Sequence, residues 1–480
     1  MNFKAVNFVL GKIFMIVGVL FALPLAVALY YSEQELKSFL IPAVLMLAIG
    51  VALSIKKPQK MQIYTREGLF ICGAAWIVMS AFGALPLFIS GAIPNYVDAF
   101  FEACSGFSTT GATVITEIEI LPKSILFWRS FMHWIGGMGI LSFMIAVLPK
   151  GEEHTMYVMK AEVPGPKAGK VVSKIQNSAR ILYLIYIFLT LFEAFILFVF
   201  TKMRLYDAVT TALSTAGTGG FSVLNDSILG YHSAKVEWII IVFMFLFGTN
   251  FNLYFLLLVR KFKLVLKDEE FWIYVLMNIG AIALITVNIL PIYGNLSDSI
   301  RNATFNVNAI MSTTGFCTVD FNTWNTFSKC ILLGMMFVGG CVGSTGGGIK
   351  VTRIMLYFKQ TLAQIRKTLR PRSVTKIRMN KNVVDEEIVH GVNTYLVVFC
   401  VLLIGSTLLI SINGFDFSTT LSSVISCLNN VGPGLEMVGP TGNYADFSIF
   451  SKLVFCFDML AGRLELFPIL ILFNPNTYKK

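Results

Sequence analysis

Apolar and polar positions along the chain sort into ten predominantly apolar stretches, at 8–31, 38–55, 67–90, 124–148, 179–201, 236–259, 271–293, 327–356, 393–412 and 449–473. Each holds about the 20 residues with which a helix crosses a hydrocarbon core of roughly 30 Å. The pattern predicts ten membrane-spanning helices. The first stretch is too long for the apolar region of a signal peptide and lacks a small-residue cleavage pattern, so it is expected to persist as a helix. Connections after the third, fifth, seventh and ninth stretches are longer than a turn requires. Each begins near an aspartate (Asp98, Asp207, Asp298, Asp416), continues through apolar and small residues for about three helical turns, and closes in a polar run around a glycine.

Those runs read STTGATV around Gly111, GTGGFSV around Gly219, STTGFCTV around Gly315 and NNVGPGL around Gly432. One alone would be a plain turn outside the membrane. Four, spaced by about 100 residues, define an internal repeat of helix, short apolar segment, glycine run and helix. An apolar segment of about 10 to 14 residues cannot span and suits a re-entrant half-helix. Irregular backbone at membrane depth is tolerated only where it is buried in protein or lines water. Glycine permits the strained conformations that aim successive carbonyls one way. A ring of carbonyls replaces the water shell of a monovalent cation, and the negative C-terminal ends of four half-helices add a field of the same sign. An anion pore would want Lys or Arg here, and none of the runs contains one.

Composition agrees. Of 480 residues, 56% are hydrophobic and 14% charged, whereas an ordinary soluble domain is about one quarter charged. The net charge of +11 could suggest nucleic acid, but its placement decides otherwise: 28 of the 38 Lys and Arg lie in the termini and in alternate loops. By the positive-inside rule those regions are cytoplasmic, both termini included, and anionic lipid is their expected contact. The eight cysteines stand singly, with no metal or redox spacing.

The motifs SGFSTTGATV (105–114), FWRSFMHWIGGMGI (127–140), STAGTGGFS (214–222), STTGFCTVDF (312–321), GGCVGSTGGGIKVTR (339–353), NNVGPGLE (429–436) and MLAGRLELFP (459–468) together resemble the TrkH branch of the Trk/Ktr/HKT potassium-transporter superfamily, over essentially the whole chain. Two helices ahead of the first repeat, and GRLELFP in the last, are more similar to TrkH than to the shorter KtrB. The resemblance implies an all-α polytopic membrane protein: four helix, pore-loop, helix repeats around a pseudo-fourfold pore, plus two extra N-terminal transmembrane helices. The units are 1–66, 67–150, 151–267, 268–382 and 383–480. It further implies K+ as the transported ion, a homodimer in the bacterial cytoplasmic membrane, and a cytosolic nucleotide-binding regulatory ring of the TrkA type. Filter carbonyls carry over to Thr110 and Gly111, Thr218 and Gly219, Thr314 and Gly315, and Val431 and Gly432. FGTNFNLYF (247–255) departs from the family pattern, and no role is transferred there.

The eighth stretch contains GGCVGSTGGGIK, six glycines among residues 339–348. Each glycine costs a helix about 1 kcal/mol relative to alanine, so this stretch is expected to break. It does not satisfy the phosphate-loop pattern GxxxxGK[ST]. A packed kink is one reading; the resemblance implies an intramembrane loop below the filter, with Gly346, Gly347 and Gly348 as gate residues and Lys350 as an anchor or regulatory contact. Arg463 lies inside the last stretch, where a permanent cation costs at least about 2.5–3.5 kcal/mol and needs a partner or a wet cavity. It is expected either to project into the pore and meet the glycine loop, or to pair with an acid such as Asp458. His133, a lone histidine beside Trp134, reads as a packed structural residue. The basic-then-acidic connector 368–387 is expected to be either a topology-setting linker or a docking site for the regulatory ring, with 162–175 as a second, weaker docking candidate. Potassium uptake through a passive, cytosolically gated pore is preferred to K+ symport with H+ or Na+, because Glu193, Asp458 and Glu465 are the few carboxylates inside spans. No nucleophile–base pair or metal box supports an enzyme.

Overall fold

The computed structural model describes residues 1–56, 58, 63–139, 175–372 and 376–478. Residues 162–174 of the candidate docking segment 162–175, the far end of the 124–148 stretch and residues 373–375 lie outside them. Two N-terminal spans come first: α1 (Phe3–Leu20) running on into α2 (Ala22–Tyr30), and α3 (Leu36–Ser54). Four successive units follow, each opening with a long helix: α4 (Thr65–Ile89), α7 (Ile175–Phe200), α12 (Glu269–Tyr293) and α16 (Glu386–Ile410). Six helices among the described residues are long and apolar enough to cross a membrane, these four and the two N-terminal spans. On α16 the exposed Val397, Val401, Ile404 and Leu408 recur every three to four residues, opposite the buried Val392, Tyr395, Phe399 and Ser406. A fully apolar outward stripe of this kind suits acyl chains rather than water.

Each unit then has a short half-helix: α5 (Tyr96–Ser108), α8 (Leu205–Gly217), α13 (Leu296–Met311) and α17 (Phe417–Asn429). Three are started by a side-chain cap. Asn95 accepts from the Val97 N–H, Asn295 from Ser297 and Asp416 from Thr419. Asp98, Asp207 and Asp298 sit in the first turns, where a carboxylate complements the positive end of the helix dipole. The aspartates that marked these segments in the sequence are thus their N-terminal signals.

The second helix of each unit is where the expected continuous spans fail. α6 (Lys123–Gly137) is described only to its end. The 236–259 stretch divides into α9 (Ala234–Gly248) and α10 (Phe251–Leu258), bent by 90°, with the one-turn α11 (Phe262–Val265) after them. As the glycines anticipate, 327–356 breaks into α14 (Thr326–Val338) and α15 (Val351–Leu369) around the loop 339–350. The 449–473 stretch ends as a helix at Arg463 (α18, Ile449–Arg463) and resumes as α19 (Phe467–Leu470). There Glu465 and Leu466 take left-handed φ of 59° and 70°, a conformation costing an ordinary residue about 1–2 kcal/mol. Glu465 is held in it by an ion pair with Arg353 at 2.7 Å. After α15, β1 (Arg378–Met379) and β2 (Asn382–Val383) form a small antiparallel hairpin.

Candidate functional site

The four half-helices end in the same way. A left-handed residue, Thr109, Thr218, Thr313 or Asn430 (φ 53–59°), follows each helix or its last turn. The next N–H reaches back to the helix: Thr110 to Ser105 O, Gly219 to Ser214 O, Thr314 to Ala309 O and Val431 to Ser426 O, at 2.8–3.0 Å. After it comes a glycine at positive φ: Gly111, Gly220, Gly315 and Gly432. In the second run the pair that takes the place of Thr110 and Gly111 is therefore Gly219 and Gly220. The expected pair Thr218 and Gly219 is one residue early, because GTGG offers two glycines in tandem and only the backbone bonding tells them apart.

The four runs touch in a closed ring. A Cβ placed on Gly111 would lie 2.0 Å from the Gly219 carbonyl oxygen; on Gly220, 2.1 Å from Thr314 O; on Gly315, 2.1 Å from Val431 O; and on Gly432, 2.5 Å from Thr110 O. No side chain fits at any of the four. Among the described residues, none of the carbonyls of Thr110, Gly219, Thr314 and Val431 accepts a hydrogen bond. Gly432 is different from what the sequence suggested: its carbonyl accepts from Ser426 Oγ at 2.7 Å and Tyr444 OH at 3.0 Å, so it is committed to the protein.

Behind the ring the bracing is dense. Ser108 and Thr110 share a hydroxyl bond of 2.6 Å, Ser312 and Thr314 one of 2.7 Å. Asn430 Nδ2 donates to Thr110 Oγ1 and to Met459 O, tying the fourth run to the first. Sequence reasoning missed one pair altogether. Glu102 on α5 and Arg129 on α6, both fully buried, pair at 2.8 Å. The carboxylate also takes Thr113 Oγ1 and the Val114 N–H, while the guanidinium donates to Ser222 O of the second run. Each is a lone charge in an apolar segment, 27 residues apart, and that was the only signal available. His133, on α6, packs behind the second run.

The layer on the other side of the ring is built by the glycine loop and Arg463. The loop folds back on its own ends: Ile349, Lys350 and Val351 N–H bond to the carbonyls of Phe337, Val338 and Gly340. Its tip presses against the half-helix ends, with Gly347 N–H donating to Thr313 Oγ1 at 2.6 Å. A Cβ on Gly346 would meet Ser312 O at 2.6 Å, one on Gly347 would meet Asn429 O at 2.5 Å, and one on Gly348 would meet Gly339 Cα at 2.6 Å. The buried Lys350 ammonium donates to the Gly346 carbonyl within the same loop. Arg463, also buried, donates to Thr345 O at 2.6 Å and to Gly136 and Gly137 O at 2.5 and 2.6 Å. One guanidinium thereby joins the last unit to the glycine loop of the third and the α6 end of the first. Asp458, the alternative partner, accepts from Ser406 Oγ at 2.7 Å.

A helical membrane protein whose four glycine runs meet in a ring of uncommitted carbonyls, with a cation-held layer against it, has the build of a cation transport protein. The chain belongs to that class by descent: residues 35–478 match the TrkH family of cation transport proteins, so this is a TrkH-family member. It is 35% identical over the full length of both chains to the Trk system potassium uptake protein TrkH of Salmonella typhimurium and 34% to that of Escherichia coli K12. It is 31% identical to TrkG of Escherichia coli K12, across 94% of this chain and 93% of that one. The crystal structure of the potassium transporter TrkH from Vibrio parahaemolyticus superposes over the whole of both chains with a TM-score of 0.89 at 30% identity.

Proposed function

We propose that this chain is the membrane subunit of a potassium uptake system, passing K+ through a gated, channel-like pore whose filter is the ring of carbonyls from Thr110, Gly219, Thr314 and Val431. The observation that carries the reading is that closed ring. Buried carbonyls with no donor are costly, and a dehydrated monovalent cation supplies what they lack. The pore axis is the pseudo-fourfold axis of the four units. Its gate is the layer of Gly346, Gly347, Gly348 and Arg463, a cation set against a cation path. The names of the full-length relatives, all Trk potassium uptake proteins, point to the same cargo.

A cytosolic ring of the TrkA type, docking on 368–387 beside the basic groove of Lys359, Arg366, Lys376 and Arg378, regulates it. The chain works as a homodimer with both termini cytoplasmic. Uptake of radioactive Rb+ into proteoliposomes, with Na+ and pH gradients varied separately, tests the reading. Rb+ flux that follows the K+ and Rb+ gradients alone supports it. Flux that needs a Na+ or H+ gradient would replace it with symport, and absence of flux would overturn it.

A further inference from the structure

His133 is wholly buried on α6, and its two ring nitrogens face groups of opposite character. Nδ1 is 2.8 Å from the carbonyl oxygen of Gly106, in the last turn of α5. Nε2 is 3.2 Å from the backbone N–H of Phe221, one residue beyond Gly220. A carbonyl only accepts and an amide N–H only donates, so the imidazole is the neutral tautomer with its proton on Nδ1. It donates into the first unit and accepts from the second.

The ring is also in contact with the second run at two further points. Its centroid is 4.2 Å from that of Phe221, and a Cβ on Gly219 would lie 2.2 Å from its Cγ. Gly219 supplies the second run's carbonyl to the ring, and Gly219 and Gly220 are the two tandem glycines. Like the fourth run, with Val431, it has no hydroxyl where the first and third place Thr110 and Thr314, whose bonds to Ser108 and Ser312 fix those turns; Ser214 Oγ holds the Phe221 carbonyl at 2.7 Å, and His133 holds the N–H of the same residue.

We infer that His133 is a positioning residue for ion selectivity: by donating to Gly106 and accepting from Phe221 it holds the Gly219 carbonyl at the distance the other three carbonyls set. The inference rests on the reading of the ring as the filter. Its requirement is chemical, one donor and one acceptor on a single side chain. Glutamine meets it; leucine meets neither half; asparagine, one methylene shorter, reaches only the Gly106 carbonyl.

The test is Rb+ and Na+ uptake by the full chain in proteoliposomes for the wild type and for His133→Gln, His133→Leu and His133→Asn. The Leu and Asn variants are expected to lose preference for Rb+ over Na+ by roughly fivefold, the value of one net hydrogen bond, while Gln keeps it. Should the Leu chain fail to fold, the Asn chain, polar and close in size, carries the same arm. An unchanged ratio in Leu and Asn would overturn the inference, as would a Gln variant as unselective as Leu. A wild type that admits Na+ as readily as Rb+ would instead overturn the filter reading itself.

Discussion

The ring of glycine runs and the layer pressed against it are in direct contact, yet they are built on opposite plans. In the ring the four units do the same thing: left-handed residue, backward N–H bond, positive-φ glycine, carbonyl against the neighbouring glycine. In the adjoining layer the second, third and fourth units each do something different. One bends by 90°, one inserts the loop 339–350, and one breaks at three non-glycine residues and contributes a single arginine. Choosing among ions by coordination needs several equal ligands at one level. Blocking a path needs only one charge in the way, so asymmetry there costs nothing. On the proposed function, repetition belongs to the layer that selects and departure from it to the layer that opens.

The largest effect that would break this comparison is at the ring. Gly111→Asp places a side chain 2.0 Å from the Gly219 carbonyl at a φ of 82°, a backbone strain of order 1–3 kcal/mol before the clash is counted. Rb+ uptake in proteoliposomes is expected to fall to background. Next is Arg463→Ala. It removes hydrogen bonds from a cation to three carbonyls, each worth about 1.5–3 kcal/mol, and basal Rb+ flux is expected to rise about tenfold or more. The smallest effect is at Thr110→Val, which removes a hydroxyl bonded to Ser108 and Asn430. A weakening of about 1 kcal/mol should lower the Rb+ to Na+ uptake ratio by two- to fivefold and leave total flux in place.

Much of this layout was legible in the sequence because it is local. Ten apolar stretches, four aspartate-started half-helices and four glycine runs are periodic or short-range signals, and all four runs do meet. The single-residue slip at Gly219 arose where composition is degenerate: in GTGG nothing but the N–H to Ser214 fixes which glycine turns. The break after Arg463 was invisible for another reason. Leu464, Glu465 and Leu466 include no glycine or proline, and the side chain that grips Glu465 is Arg353, 112 residues earlier in the chain. The Glu102–Arg129 pair was hidden likewise, since each charge reads alone as an expense and only the fold supplies its partner.

Arg463→Ala, assayed for Rb+ and Na+ uptake side by side in the same vesicles, tests most directly whether selecting and opening reside in separate layers. Rb+ and Na+ uptake should rise together, leaving their ratio at the wild-type value. A ratio that collapses as flux rises, or flux that does not change, would contradict that separation.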